Sequence, residues 1–570
     1  MAYDTVTTQP TTNPLMEKLL KEKKIAYEFA ERRFDDWNEN YELFRNKVKT
    51  NRLTQRQAVN IPLMKETIKT ILSKVDDPPV VDWKELRGDK MKEIIFQELW
   101  NNDYDRLNIE GVDVQDKKTV LLYGRGFKKL NWADSKIDVR ALDIYDVVVD
   151  PLTDPLNLET ARFVIQQNIF RSLREILADD RYSKEGKEKL KIWLQSPDGI
   201  IQSSKDKEQW EAKLERLKSL GVDNSDFALF AGGDAIVNLT EHYTNLWNEK
   251  KKEFERKVIT YANDSIELLN EKLVDLMGVE FYPFVTWAED IETQDFWSDS
   301  VADLIRVPNK VINIWFSQMV ENRTLRNFQM HWYDATIEGY SPQTYEPGPG
   351  RMLPAPGDPN KTILPVDIQG LDETLTAIQF LTSVVERGSG ATAIEKGQGE
   401  TKPQTLGEIQ VLVGKAQERT ITMAKAYRRS WKELCQKYQA IVSANNTEKM
   451  TLVKKDRDGR MWPKVVYPED WKSEAGFEAT IASTSEQEEN SVKTLQKFQF
   501  ALQMYPMNIA LKKISQKRVL ETLDLSPEEL SQVQQAEEQP ELPVQGELPP
   551  GGAPMQGAMP GAVPSPLQIA

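Results

Sequence analysis

The sequence predicts a predominantly helical α+β protein, and three observations carry that reading. Long stretches such as 14–47 place apolar residues at helical spacing among dense charge. The block from 119 to 170 instead shows β-rich runs bounded by Gly, Asp and Pro. The two kinds of segment are segregated along the chain, which argues against an alternating β/α array. With 570 residues there is room for about four units of ~150 residues each.

The first helix is expected at 14–47, where Leu15, Leu19, Phe29, Phe34, Trp37, Tyr41 and Phe44 form one apolar face. Helices follow at 62–75, with Pro62 in its first turn, and at 89–101; Pro78-Pro79 separates them. Thr119–Trp132 and Ile137–Leu142 read as strands, followed by Ile144–Asp150 ahead of Pro151 and by Ala161–Phe170. Residues 171–220 return to charged helical sequence, and strands resume at 235–247 and 254–262.

A helix is predicted over 296–326, with Pro308 kinking it or opening a second one. Residues 327–370 carry too much Pro and Gly for regular structure beyond short strands such as Thr362–Val366. Leu371, Leu375, Ile378 and Leu381 stripe a helix at 371–386, followed by a glycine-bearing loop from Arg387 to Gln404. Thr405 and Glu408 have capping-box spacing at the head of a long basic helix reaching about 441. Lys454–Arg460 reads as an Asp-Gly hairpin turn. Late helices are expected from Ser485 and Ser526, and the Pro/Gly-rich segment 539–570 lacks the apolar content to fold alone.

Composition narrows the chemistry. No apolar run approaches the ~20 residues of a membrane-spanning helix, and the N-terminal residues lack the basic start and apolar stretch of a secretory signal. A single cysteine, Cys435, permits no internal disulfide and fits a reducing compartment. Two histidines, His242 and His331, supply too few soft ligands for zinc, haem or an iron–sulfur cluster, and each reads as an ordinary polar residue. No phosphate-cradling Gly-x-x-x-x-Gly-Lys-Ser/Thr occurs, and Gly124-Arg-Gly126 lacks the third glycine of a dinucleotide fingerprint. Acidic pairs such as Asp103/Asp105 and Glu289/Asp290 are what 89 acidic residues produce by chance. The expectation is a protein that is no enzyme and holds no metal or cofactor.

The net charge of -15 gives a mean field that repels phosphate, which disfavours a tight grip on nucleic acid. The basic helix is the exception: Lys415, Arg419, Lys425, Arg428, Arg429, Lys432 and Lys437 outnumber its acids between 411 and 441. A solvated surface face and a phosphate-contacting face fit that pattern equally well.

The order of features resembles the portal proteins of tailed bacteriophages. Tyr123-Gly-Arg-Gly-Phe127, then Leu142–Pro151 with its closing Asp-Pro, then Ala161-Arg162, look like the wing of that family. The succession from 296 to 441 resembles stem, clip, stem, tunnel loop and following helix. The resemblance thus implies an N-terminal helical segment at 1–50, a wing at 51–295 and a first stem helix at 296–326. It implies a clip at 327–370, a second stem helix at 371–387 and a tunnel loop at 388–404. A long helix returning to the wing would occupy 405–484, a helical crown 485–538 and a disordered tail 539–570.

By that resemblance the chain forms a homo-oligomeric ring, twelve subunits in the virion, at one capsid vertex, after assembly in the host cytoplasm. Double-stranded DNA enters through the ring, driven by a separate terminase, and later leaves the same way. In the tunnel loop, Arg387, Lys396 and Lys402 would touch phosphate beside Ser389, with Glu395 and Glu400 keeping the contact weak. Trp332, Tyr333, Tyr340 and Tyr345 in the clip would anchor the terminase large subunit and the head-completion or tail adaptor proteins; local packing explains those rings equally well. The major capsid protein and a scaffolding protein are the other implied partners, and no membrane is. A non-conducting virion adaptor or scaffold protein is the alternative on the same residues.

Overall fold

The N-terminal apolar stripe folds as two helices, because its halves have different partners. In a computed structural model, α1 (Pro14–Glu31) and α2 (Phe34–Phe44) are separated by a turn at Arg32-Arg33. From α1, Met16 and Leu19 lie against Ile259 and Tyr261, whereas α2 puts Trp37 against Trp297, Tyr123 and Tyr145. Arg33 fixes the turn through ion pairs to Asp299 and Asp303. One straight helix at 14–47 cannot serve both sites. The residues described are 14–46, 59–75, 79–133, 135–219, 235–327, 331–333, 358, 363–365, 368, 370–389, 406–455 and 461–482.

Next come α3 (Leu63–Val75), β1 (Val80–Glu85), α4 (Lys90–Arg106) and α5 (Ile109–Tyr123). The expected strand at Thr119–Trp132 is corrected here. Its first five residues finish α5, where Val120, Leu121, Leu122 and Tyr123 are all buried. The strand begins only after Gly124, which ends the helix at φ +89°. That strand is β2 (Arg125–Ala133), followed by β3 (Lys136–Leu142), the short β4 (Val147–Val149) and β5 (Phe163–Ser172). The charged 171–220 stretch forms α6 (Leu173–Ala178), α7 (Lys184–Leu194) and α8 (Pro197–Ser219). A capping box of Ser172 and Glu175 opens α6.

The chain continues through β6 (Ile236–Asn248), β7 (Glu253–Ala262), β8 (Ile266–Lys272), α9 (Leu273–Met277) and β9 (Phe284–Ala288). These complete two antiparallel sheets: a five-stranded one ordered β4-β5-β6-β7-β8 and a three-stranded one ordered β3-β2-β9. The mixed helix and sheet content agrees with the α+β class read from the sequence.

Then α10 (Val301–Asn327) begins five residues later than the 296 expected, because Phe296 and Trp297 fill the core from a non-helical segment. Pro308 lies inside α10 and no second helix starts there. Tertiary bonds hold the turns that follow: Asn313 Oδ1 accepts from the Ile61 N–H at 2.8 Å and Ser317 Oγ from the Val59 N–H at 3.0 Å.

Two short strands, β10 (His331–Tyr333) and β11 (Ile363–Pro365), pair antiparallel between α10 and α12 (Asp372–Ser389). The 40-residue α13 (Leu406–Asn445) follows, then the β12 (Met450–Lys455) and β13 (Met461–Val466) hairpin, α14 (Pro468–Trp471) and β14 (Phe477–Ala482). Pairing of β14 with β1 ties residues 477–482 back to 80–85. The segment 485–538, the tail, the turn at 456–460 and most of 327–370 lie outside the described residues.

Candidate functional site

Three structures positioned by this fold bear on function, and the first unites the residues of the wing motif. Asp150 is buried at the end of β4, and Arg162 arrives just before β5. Arg162 donates from Nε to Oδ2 at 2.5 Å and from Nη2 to Oδ1 at 2.7 Å. The backbone N–H groups of Leu152 and Arg162 complete the carboxylate's shell. Burial opposes the charge on Asp150, but these donors outweigh it and hold the carboxyl below its ordinary range. Such a two-pronged pair fixes direction as well as distance.

Gly124, Arg125 and Gly126 are each explained by a neighbour. A Cβ on Gly124 would lie 2.0 Å from the Ser298 carbonyl oxygen, and one on Gly126 would lie 2.3 Å from Asp116 Oδ1. Arg125 is buried, stacks 4.0 Å from the Phe296 ring centroid and donates to the Pro155 carbonyl at 3.1 Å. The motif therefore anchors the segment before α10 and the loop after β4.

The second structure is a buried ionic seam joining α5, β2, β9 and α13. Asp113 pairs with Lys117 at 2.9 Å and Lys128 at 3.1 Å, and accepts from the Tyr427 hydroxyl and, at 3.1 Å, from Trp431 Nε1. Asp116 pairs with Lys128 at 2.8 Å and accepts from Trp287 Nε1 at 2.6 Å. Burial pushes Asp116 upward, while Lys128 and Lys117 hold Asp113 below its ordinary range against the same penalty. Lys128 is raised, because the two carboxylates outweigh its burial. Further along α13, Tyr438 donates to Asp103 at 2.7 Å.

This seam corrects one reading of the basic helix. Lys437 is buried, donating to Glu159 and to the carbonyls of Tyr282 and Phe284 at 2.7–2.9 Å. Phosphate cannot reach it. Lys425, Arg429 and Lys432 do lie on an exposed face, and Lys432 bridges to Glu478 at 3.2 Å.

The third structure is the helix pair α10 and α12. Ile378, Leu381 and Val385 pack α12 onto the core, and Arg387 is exposed in its last turn, its Nε donating to the Ser383 carbonyl at 3.4 Å. Ser389 ends the helix and is buried. The helix thus runs two residues further than the 387 expected. Glu395, Lys396, Glu400 and Lys402 lie outside the described residues, as do Tyr340 and Tyr345. Trp332 and Tyr333 sit on β10, opposite Leu364 and Ile363 of β11.

The remaining candidates have structural places. His242 is buried beside Glu22 of α1, with Nε2 2.9 Å from the carboxylate, and burial pushes the imidazole below its ordinary value. Cys435 is buried, which pushes its thiol up and away from reactivity. Asp103 is engaged by Arg106 and Tyr438. Among the described residues no group of three or more His, Cys, Asp or Glu side chains could hold a metal ion, and no helix is long and apolar enough to cross a membrane. Sequence reasoning missed the seam. Its visible signal was Asp113-x-x-Asp116-Lys117, acids and a lysine at helical spacing just before an apolar run.

Comparison with known proteins assigns the class. The family profile described as phage SU10 portal protein matches residues 35–541. The chain therefore belongs to the portal proteins of phages, within the family typified by the phage SU10 portal protein. No curated protein sequence matches it. A chain from a solved structure titled "Virion of native gene transfer agent (GTA) particle" is similar over 72% of this chain and 80% of its own, at 11% identity and a TM-score of 0.28. At that score nothing rests on the likeness.

Proposed function

We propose that this chain is the subunit of a ring at one capsid vertex, through which DNA is packaged and later ejected. The observation that carries the reading is the family match across 35–541. In this reading the two sheets and their helices are the wing, α10 and α12 the stem helices, and the excursion rooted at β10–β11 the clip. The tunnel loop begins at the end of α12, where Arg387 points into solvent. Residues 485–538 are assigned to the crown.

The work done is physical. Twelve chains at -15 each carry -180, so phosphate meets a repelling lumen and slides with few lasting contacts. Arg387, Lys396 and Lys402 supply brief attractions that Glu395 and Glu400 keep weak. The clip, with Trp332, Tyr333, Tyr340 and Tyr345, receives the terminase and the head-completion proteins, while the wing meets the capsid protein and its scaffold.

End-view electron microscopy of the purified protein, repeated with scaffolding protein present, tests this. A ring with a hole on the order of 20 Å or more, wide enough for a duplex, is the expected image. A solid or open assembly would replace the reading with an adaptor or scaffold.

A further inference from the structure

We propose that one end of the five-stranded sheet, made of the β6–β7 ribbon tip and the 150–156 loop, docks onto a second copy of this chain. The inference rests on the ring assembly above and names a contact within it. β5 pairs with β6 only as far as Thr244, and β8 pairs with β7 only from Lys257 onward. Residues 245–248 and 253–256 therefore project as a two-stranded ribbon, a form that is marginal in isolation.

This ribbon is stiffened. Asn248 Oδ1 accepts the N–H groups of Lys250 and Lys251, and Lys252 takes the left-handed conformation at φ +56° that closes the turn. Glu255 is held by Asn248 at 2.9 Å and Lys272 at 2.8 Å. Trp247 and Phe254 face each other across the ribbon with ring centroids 5.1 Å apart, yet remain 52% and 70% exposed. Their mutual contact covers one side of each ring and leaves the rest in water.

The neighbouring loop repeats the pattern. Leu152 and Leu156 are 76% and 54% exposed, on a loop locked by Asp150, Asp154, Asn157 and Thr160 accepting backbone N–H groups. Its root is bonded to the ribbon's: the Asn245 N–H donates to the Arg162 carbonyl, and Arg256 pairs with Glu159. Four large apolar side chains thus stand at one end of the sheet on preorganised backbone, which is how interface anchors are presented.

Charge selects the occupant. The turn carries Lys250-Lys251-Lys252 between Glu249 and Glu253, and Lys251 bridges to Glu253 and Glu255, which leaves a small positive excess at the tip of a chain whose net charge is -15. A second copy is acidic on balance and offers this tip exposed carboxylates. Asp290-Ile291-Glu292, exposed just beyond β9, combines carboxylates with an apolar side chain. A contact between two different patches of one chain is head-to-tail, the kind that closes into rings.

The test places a photoactivated crosslinker on Lys251→Cys in the full chain, where Cys435 is buried and does not compete. The expected product has about twice the 65.4 kDa chain mass. Sedimentation of W247A/F254A, and separately of K250E/K251E/K252E, is expected to show self-association weakened at least about tenfold, with the far-UV spectrum unchanged. Should the aromatic variant unfold, the charge variant still decides. Wild-type rings that persist in the charge variant, with no crosslinked dimer, overturn the docking proposal and leave the ring reading intact. Crosslinking only to a co-expressed capsid protein overturns the occupant. A wild-type chain that never self-associates, with or without scaffold, overturns both.

Discussion

Asp150 and Arg162 show how one pair of side chains orders a whole loop. The carboxylate is buried and the guanidinium is 63% exposed at its side chain, so the acid depends on its donors more than the base depends on the acid. Removing the negative charge in Asp150→Asn keeps the shape but loses a bidentate charge-assisted bond, at a cost of about 2 kcal/mol. Thermal or urea unfolding at pH 7 should read that loss. The pH dependence has a definite sign. The folded carboxyl sits below the ordinary ~3.9, so the unfolded chain takes up the proton first as pH falls. The pair's contribution is full above about pH 4 and disappears as pH drops through the folded value. The stability gap between wild type and Asp150→Asn should narrow over that window; a gap independent of pH would contradict the ion-pair account.

At the scale of elements, α13 is held by charge as much as by apolar packing. Tyr427 and Trp431 both reach Asp113, which in turn faces Lys117 and Lys128. Asp113→Ala leaves two buried ammonium groups with Asp116 alone and should cost about 3–5 kcal/mol. Tyr427→Phe removes one hydroxyl donor to that carboxylate and should cost less, about 1.5–3 kcal/mol. Urea denaturation of the two variants checks the ranking, and equal losses would mean that the seam is packing rather than electrostatics. The elements themselves were legible where one periodicity dominated: the strands β6 and β7, and the helix α12, although of its predicted stripe only Ile378 and Leu381 pack while Leu371 and Leu375 are exposed. They were misread where a local run had two readings. Val120–Tyr123 is apolar and β-prone, and only Asp116 and Lys117, one turn earlier, show that the helix continues. The division of 14–47 into two helices was not legible, because it depends on where Asp299 and Asp303 lie in space. For the site, Asp150 and Arg162 stood in the stretches that carried the family resemblance but were not marked as a pair, and nothing local in sequence joins Asp113 to residues more than 300 positions away.

At the scale of the molecule, the proposed function turns on weak contact with the duplex that a portal ring would conduct. A chain of net charge -15, with Lys117, Lys128 and Lys437 buried in internal pairs, is poorly suited to the counterion-releasing grip of a DNA-binding protein. In the proposed reading the exceptions follow α12 and are nearly balanced, with Arg387, Lys396 and Lys402 set against Glu395 and Glu400. Deleting Ser389–Gly399 removes part of that balance at one place in each subunit. If the ring is held by surfaces elsewhere, as proposed, ring formation should survive the deletion by electron microscopy, whereas packaging or retention of DNA in assembled particles should fall. Retention is the sharper readout, because a loop that only lines the passage affects entry and exit alike, while a loop that brackets the duplex chiefly prevents escape. Particles that package and hold their DNA normally after the deletion would remove this segment from the channel, and the contact with the duplex would then have to be sought on the exposed Lys425, Arg429 and Lys432 face of α13.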